Sequence, residues 1–292
     1  MQDKGDHCRV AGWRVVIVSQ VAPAVVAIDA GLRALGHRTV AVVASRSGAE
    51  REPEFFVRLH REAPADVDLL HPADRTRIAP LIAPYGPDLL ICNGFPWLIP
   101  DDALSVPRLG AINIHPSLLP RWRGPTPVSW AIRTGEREIG TTVHRMDASF
   151  DTGPVLAQGA VTLPEDAWSW EELGPQLSKL GAQLLPRALE RVEKGDPGDL
   201  QPPGDYPYAH LFEDAYVEVD WSRPADEVLR QLRAWQFTGP TRSGRQGPLA
   251  EIQGETVRIL RACRETANEG VHVECADAPV WVTSYVPVDG TG

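Results

Sequence analysis

The stretch WRVVIV, residues 13–18, decides the fold class of this chain. Its continuous run of apolar and β-branched residues is typical of a strand buried on both faces, and such strands belong to parallel sheets. After Pro23 the apolar residues fall on one helical face, at Val25, Ile28, Leu32 and Leu35, and Gly36 can end this predicted helix. A second buried strand, TVAVVA at 39–44, follows. The sequence therefore predicts a βαβ unit in a parallel sheet.

Further strands are predicted downstream. DLLICN at 88–93 and GAINIH at 110–115 are short apolar runs, and each precedes a proline-containing loop. TTVHRM at 141–146 and PVLAQGAV at 154–161 add two more strands. Ligands of such sheets bind beyond the carboxyl ends of the strands, so the loops that follow these strands are the first place to look for a site.

Two domains are predicted. The sheet domain covers 12–194, a linker rich in glycine and proline covers 195–209, and a C-terminal domain covers 210–292. The last domain opens with a helix that Ser222 is expected to cap, and continues with the β-rich stretches TVRILRA, GVHVECA and PVWVTSYV. The predicted fold class is α/β, a Rossmann-like domain with a mostly parallel sheet followed by a smaller β-rich, OB-like domain.

Composition narrows the function classes. The 292 residues carry a formal net charge of -10, which argues against a polyanionic partner such as nucleic acid. The four cysteines lack the spacing of zinc ligands or of a disulfide framework, so neither a metal site nor disulfides are expected. The apolar runs are too short to span a membrane, and the N-terminus lacks a signal core. A cytoplasmic protein without a membrane partner is expected, and the oligomeric state is not readable.

The segment INIHPSLLPRWRG, residues 112–124, carries the first candidate for chemistry. Asn113 and His115 alternate at the end of a strand, so their side chains point to the same side about 7 Å apart. An amide donor and an imidazole at that spacing can stabilise an oxyanion and move a proton, as acyl transfer requires. An isolated Asn-x-His is weak evidence, because an asparagine that caps a turn and a structural histidine would give the same pattern.

A second motif, MDASFDTGP at 146–154, strengthens the first. Asp147 and Asp151 lie in a loop between two predicted strands, and Thr152, Gly153 and Pro154 follow as a tight turn. A carboxylate brought against His115 would orient the ring and raise its basicity. From the residues alone either aspartate can fill this role, whereas His144 is expected to be structural.

Together the two motifs resemble the formyltransferase family that uses 10-formyltetrahydrofolate. The similarity rests on NIHPSLLP at 113–120 and on DTG at 151–153, and it continues through LPRWRGPTPVSWAI. VDWSRPADEVLRQLRAW, at 219–235, resembles the start of the C-terminal domain of methionyl-tRNA formyltransferases. The resemblance implies that the sheet domain is the formyltransferase catalytic domain.

The resemblance also implies roles for individual residues. Asn113, His115 and Asp151 match the family's catalytic residues, and the formyl donor would be 10-formyltetrahydrofolate, without a metal. The donor pocket would lie between CNGFPWLIP at 92–100 and the strand leading to Asp151. The cofactor-binding residues expected there are Cys92, Asn93, Gly94, Phe95, Trp97, Leu98, Ile99, Thr142, Val143 and Asp147. Arg121, Arg123 and Arg145 are candidates for holding an anionic group.

Charge guides the choice of acceptor amine. The region from 205 to 292 holds eight arginines and no lysine against fourteen acids, a net of -6, and the loop at 45–54 has a net of -1. We therefore expect a small-molecule acceptor, either an amino sugar nucleotide or an amino acid such as hydroxyornithine, and no nucleic acid. Methionyl-tRNA formylation and formyltetrahydrofolate hydrolysis remain alternatives. Glycinamide ribonucleotide formylation fits less well, because those enzymes lack the second domain, and a non-catalytic folate-binding module would not need all three catalytic residues.

Overall fold

The computed structural model describes residues 12–46, 53–265, 267 and 270–288. Within these residues the chain forms two compact units. The first unit comprises the described parts of Met1–His115, Val143–Ala157 and Gly181–Leu200, and the second comprises Pro116–Thr142, Gln158–Leu180 and the described parts of Gln201–Gly292. Each unit is thus assembled from separate stretches of the sequence.

The predicted βαβ unit is present at the start of the described chain. β1 (Arg14–Val18) and β2 (Arg38–Val43) pair in parallel, and α1 (Ala22–Ala34) connects them. Proline in the first turn of α1 suits a helix start, because the missing N–H would have no partner there. The chain leaves the helix through Gly36, whose φ of 82° favours glycine.

The same succession of strands and helices continues along the chain. The further elements are α2 (Pro53–Glu62), β3 (Asp68–Leu70), α3 (Ile78–Ile82), β4 (Leu89–Cys92), α4 (Asp101–Leu104), β5 (Ala111–His115), α5 (Pro127–Arg133), β6 (Glu138–Arg145), β7 (Val155–Thr162) and α6 (Trp170–Glu193). The seven strands form one sheet in the order β3-β2-β1-β4-β5-β6-β7. β3, β2, β1, β4 and β5 pair in parallel, each with the next in that order.

Apolar residues cover both faces of the sheet in the first unit. In β1, Val15 and Ile17 belong to one hydrophobic cluster, and Val16 and Val18 belong to another. All four side chains are fully buried. This explains why the strand reads as a continuous apolar run rather than an alternating one, and it is typical of a parallel sheet with helices on both faces.

Helix α6 buries a row of leucines. Leu173, Leu177 and Leu180 are at most 9% exposed, and Leu184 is partly buried. The helix has 24 residues, yet its outer face is polar. None of the helices formed by the described residues combines the length and the apolar character needed to cross a membrane.

The second unit contains helix α7 (Ala225–Ala234), which packs Val228 and Leu232 into the core with Ala250 and Val257. The prediction that Ser222 caps this helix is wrong. The Ser222 hydroxyl donates instead to Asp220, while the backbone N–H of Ala225 donates to the Asp277 carboxylate at 2.7 Å. A side chain 52 residues downstream thus satisfies the exposed helix start.

A small antiparallel sheet completes the second unit. It consists of β8 (Leu249–Ile252), β9 (Glu255–Cys263), β10 (Val271–Glu274) and β11 (Pro279–Pro287), in the order β10-β11-β9-β8. The predicted fold class, a mostly parallel α/β sheet followed by a smaller β-rich part, is confirmed. The domain limits at 194 and 210 stay a prediction. Residues 195–209 contain only isolated bridges, at Asp199 and Tyr208.

His37 provides a pH-sensitive contact in the first unit. Its ring stacks on Trp13, and its Nδ1 accepts a hydrogen bond from the Trp13 backbone N–H at 3.1 Å, which requires the unprotonated nitrogen. Burial lowers the pKa of His37, and the charges of Glu193 and Asp88 offset this shift only in part. The unfolded chain therefore binds a proton more readily than the folded one. This contribution to stability is present above the ordinary pKa of about 6.5 and is lost as the pH falls towards the lowered folded value.

We predict that His37→Gln flattens the pH dependence of stability between about pH 7.5 and pH 5, since glutamine keeps an acceptor for the Trp13 N–H but does not titrate in this range. The measurement is the urea midpoint of wild type and variant across that range. The wild type should lose more of its midpoint on acidification than the variant does. Parallel curves for the two proteins would show that His37 does not titrate with folding.

Candidate active site

Asn113 and His115 lie at the carboxyl end of β5, as the alternation of the strand predicts. β5 pairs in parallel with β4, and Asn113 stands opposite Cys92 in the register. His115 is only 6% exposed. Both side chains are therefore presented from a buried central strand of the sheet, which fixes their backbone positions.

Asp151 lies in the loop between β6 and β7, and its backbone is in the left-handed region with φ at 57°. The Asp147 carboxylate stabilises this loop, because its Oδ1 accepts hydrogen bonds from the Ser149 N–H at 3.0 Å and the Thr152 hydroxyl at 2.7 Å. Asp151 itself is 9% exposed. A left-handed conformation at a buried non-glycine residue is unfavourable and is typical of functional sites.

Two of the three residues predicted to be catalytic converge on an atom of the third, Oδ1 of Asp151. The Asn113 Nδ2–H donates to this oxygen at 3.1 Å, and His115 Nδ1 lies 3.5 Å from it. The side chains of His115 and Asp151 are 7% and 9% exposed. A carboxylate that is close to an imidazole in a buried setting orients the ring and favours its protonated form. The arrangement can thus hold and move a proton next to an amide donor.

His144, on β6, is a fourth member of this cluster, although the sequence predicts only a structural role for it. Its Nε2 lies 3.2 Å from Asn113 Nδ2 and 3.6 Å from Asp151 Oδ1, and its side chain is 2% exposed. The ring stands nearly perpendicular to that of His115 at 6.5 Å between centroids. Its position on the strand that leads directly to the Asp151 loop is the sequence feature that could have indicated a place near the site.

Cys92, a predicted pocket residue, is buried at the end of β4. Burial, reinforced by the charge of Asp151, raises the pKa of the thiol to about 12. The side chain therefore stays a neutral thiol at physiological pH and is not a nucleophile.

The loop after β4 contains most of the other residues predicted to bind the formyl donor. Asn93 fixes its start, with its backbone N–H bonded to the Val18 carbonyl at 3.1 Å and its amide bonded to the Ile114 carbonyl at 2.8 Å. Gly94 follows with φ at 58°. Phe95 and Trp97 pack edge to face with centroids 5.5 Å apart and are only partly buried, as is Leu98. These three side chains retain apolar surface for a ligand.

The remaining predicted pocket residues have other partners. Ile99 and Val143 are at most 2% exposed and belong to hydrophobic clusters. The Thr142 hydroxyl donates to the Ser117 carbonyl at 2.7 Å, accepts from the Leu119 N–H at 3.2 Å, and is also bonded by Gln158. Asp147 holds the Asp151 loop. Any contact of Ile99 or Val143 with a ligand would use the backbone.

The three candidate arginines are already engaged. Arg121 forms an ion pair with Glu136 and lies over the Trp122 ring at 5.6 Å, and Arg123 donates to the Gln201 amide oxygen at 2.6 and 3.0 Å. Arg145 donates to the carbonyls of Leu109 and Asp196, both at 2.9 Å. These side chains support the local backbone or neighbouring side chains in this structure.

Known proteins resemble the chain over most of its length. The sequence model of the family described as formyl transferase matches residues 15–189. A methionyl-tRNA formyltransferase of Anaeromyxobacter dehalogenans is 34% identical and covers 95% of this chain and 93% of the relative. One from another strain of that species is 35% identical and covers 85% of this chain and 79% of the relative. HypX from Aquifex aeolicus, solved in complex with tetrahydrofolic acid, has a TM-score of 0.69 at 19% identity over 95% of this chain and 44% of that protein, so it shares the fold.

These relatives overturn the expectation of a small-molecule acceptor and of no nucleic-acid partner, because both are named methionyl-tRNA formyltransferases. The expectation was wrong because it relied on net charge. Net charge sums over the whole surface, whereas phosphate binding depends on where individual cationic side chains lie. The loop at 45–54, on which part of that argument rested, lies mainly outside the described residues.

Proposed function

The chain belongs to the formyl transferase family, and from this premise we propose that it transfers the formyl group of 10-formyltetrahydrofolate to the amino group of methionyl-tRNA. As a member of that family it is an enzyme that transfers formyl groups. The proposed acceptor is supported by relatives that align with it over 93% and 79% of their own length. The observation that carries the proposed chemistry is the convergence of Asn113 and His115 on Asp151 Oδ1.

The site fits a folate donor in two respects. The partly buried rings of Phe95 and Trp97 retain apolar surface next to Asn93, which is itself bonded to the backbone of the strand carrying Asn113 and His115. A flat aromatic ligand suits such a wall, because aromatic rings pack edge to face or offset against one another. When bound, 10-formyltetrahydrofolate supplies a formyl group attached to nitrogen, and hence a carbonyl carbon that an amine can attack.

Asn113 and His115 then act on the charge that develops. As the amine nitrogen bonds to the formyl carbon, the Asn113 amide and protonated His115 donate to the carbonyl oxygen, which becomes the oxyanion. An oxyanion donor of this kind contributes about 10²- to 10³-fold to turnover. Asp151 holds the His115 ring through Nδ1 and accepts the proton of the attacking amine through water. His115 provides the proton for the departing folate nitrogen as the carbon–nitrogen bond of the donor breaks.

The remaining sequence expectations belong to the same proposal. The family match ends at residue 189, which supports a catalytic domain over 12–194, a linker over 195–209 and a C-terminal domain over 210–292. A cytoplasmic location follows from the proposed acceptor, since charged tRNA is used where translation takes place. Of the predicted donor-binding residues, Asn93, Gly94, Phe95, Trp97 and Leu98 are the ones we propose to contact the donor directly.

The proposal is tested by measuring release of tetrahydrofolate from 10-formyltetrahydrofolate with initiator methionyl-tRNA as acceptor. We expect turnover that matches the amount of methionyl-tRNA and yields formylmethionyl-tRNA. Uncharged tRNA, free methionine and methionyl-tRNA with a blocked amino group are the matched controls, and none of them should support turnover. Steady release of folate without any acceptor would instead identify a hydrolase, and turnover with free methionine would show that the tRNA is not recognised.

A further inference from the structure

The protonation of the His144 ring can be read from its neighbours. Its Nδ1 lies 2.7 Å from the Arg145 carbonyl oxygen. A carbonyl oxygen only accepts hydrogen bonds, so Nδ1 carries a proton. On the other side of the ring, Nε2 lies 3.2 Å from the Asn113 Nδ2, which only donates. Nε2 therefore presents its lone pair, and the ring is the neutral tautomer protonated on Nδ1.

The Asn113 amide has one orientation that satisfies its surroundings. Both hydrogens of Nδ2 are used, one towards Asp151 Oδ1 at 3.1 Å and the other towards His144 Nε2. Turning the amide over would place its oxygen against the carboxylate and against the lone pair of the imidazole, which is unfavourable. The two neighbours thus fix a group that the proposed reaction needs as a donor.

We propose that His144 is a positioning residue that holds one N–H of Asn113 so that the other can move from Asp151 to the oxyanion. This inference rests on the proposed function. In the resting site the second N–H bonds to Asp151. As the oxyanion forms, this N–H turns towards the new negative charge, while the bond to His144 keeps the amide in place. The Asn113 amide thus turns about its bond to His144 and keeps its orientation towards the reacting group.

The same motion changes Asp151. A hydrogen bond to a carboxylate favours its charged form, so Asp151 becomes a stronger base when Asn113 turns away from it. This coincides with the moment at which the attacking amine must lose its proton. His144 therefore links stabilisation of the oxyanion to proton acceptance by Asp151, without itself touching the reacting atoms.

The first test compares two substitutions of His144. His144→Phe keeps a ring but removes the acceptor, and we expect kcat to fall about tenfold with the KM of the donor unchanged, since one neutral hydrogen bond is lost. His144→Gln keeps an acceptor near the Nε2 position and should recover most of the rate. His37→Phe is the matched control, because it also replaces a packed histidine of the first unit but one without contact to the cluster. It should change stability and leave kcat as in the wild type.

The second test asks whether His144 acts through Asn113. In an Asn113→Ala background, adding His144→Phe should cause no further loss of kcat, whereas an independent contribution would multiply the two losses. Full activity of His144→Phe in the wild-type background would also overturn the proposal.

A third measurement needs no substrate. Nitrogen NMR of the labelled protein should show His144 neutral and protonated on Nδ1, with a shifted Asn113 side-chain amide in His144→Phe. An imidazolium, or a proton on Nε2, would contradict the inference even if methionyl-tRNA is a substrate. The expected spectrum would uphold the arrangement even if the acceptor proved to be another amine, so the two proposals can fail separately.

Discussion

Replacing His115 with alanine should lower kcat for formyl transfer by about 10²- to 10⁴-fold, the range that a positioned general acid or base contributes. His115 is buried at the end of a central strand, and its Nδ1 lies 3.5 Å from the Asp151 carboxylate, so alanine removes a ring that the strand holds against this carboxylate. The measurement is folate release in a single turnover with methionyl-tRNA, which reports the chemical step. Circular dichroism and the melting temperature show whether the variant folds. A loss below about tenfold would exclude His115 from proton transfer.

Asp151→Asn tests the carboxylate next to His115, and the backbone conformation at this position tolerates asparagine. Asp151 has a positive φ of 57°, a conformation that asparagine adopts more readily than most other residues. The substitution therefore removes the charge next to His115 while keeping the loop. We expect a loss of kcat within the same range, and we expect the double variant His115→Ala with Asp151→Asn to be about as slow as the slower single variant. Groups that act as a unit show such non-additive losses.

The parallel sheet was predictable because several of its strands and helices have a recognisable apolar pattern within a short stretch of sequence. β1 and β2 are buried on both faces, so almost every residue in them is apolar, and the helix between them has its own periodicity. β3 and β8 have only three and four residues, and their sequences carry too few positions to reveal a period. The cap of α7 could not be predicted at all, because Asp277 is distant in sequence and reaches Ala225 only in the folded chain.

In the site, too, some residues could be predicted from the sequence and one could not. Two short motifs contain Asn113, His115 and Asp151, and the residue types in these motifs indicate the chemistry. The structure places Asn113 Nδ2 and His115 Nδ1 within 3.5 Å of Asp151 Oδ1. His144 has no motif of its own. Its relation to Asn113 depends on the side-chain directions of β5 and β6, which the sequence does not contain. A buried histidine that is structural and one that positions a catalytic amide look the same until the neighbours of both ring nitrogens are known.

The expectation of a small-molecule acceptor was wrong for a different reason. Composition describes the average surface, and a net of -6 in the C-terminal region is compatible with exposed arginines at particular places, such as Arg242. Recognition of a phosphate backbone depends on a few such positions. The similarity to a methionyl-tRNA formyltransferase covers 95% of this chain, and it does not depend on the charge sum.

Gly153→Ala should lower kcat by about 10²-fold or more although Gly153 takes no part in the chemistry. A Cβ at this position would lie 1.9 Å from the backbone oxygen of Arg145 and 2.8 Å from its carbonyl carbon. Backbone atoms of a central strand cannot yield as a flexible side chain would, so the loop carrying Asp151 has to move instead. A displacement of about 1 Å in a catalytic group can cost 10²-fold in rate.

The size of the expected loss follows from what the loop holds together. The Arg145 N–H donates to the Pro154 carbonyl at 2.8 Å. This hydrogen bond lies next to the place where the new Cβ would clash with the Arg145 carbonyl. Moving this turn shifts Asp151 away from both Asn113 and His115, so the amide and the imidazole lose their common partner. Crowding should also destabilise the fold, by about 1–3 kcal/mol. Single-turnover rates and urea midpoints separate the two effects.

Gly174→Ala is the matched control, because a Cβ there meets nothing within 4 Å and the residue lies in helix α6. Alanine in a helix is favourable, so this variant should be at least as stable as the wild type and fully active. If Gly153→Ala keeps the wild-type rate while losing stability, the Asp151 loop tolerates displacement, and the position of this carboxylate is not what limits transfer. A hundredfold loss at an unchanged KM would instead tie turnover to the placement of one carboxylate oxygen by a turn that only glycine allows.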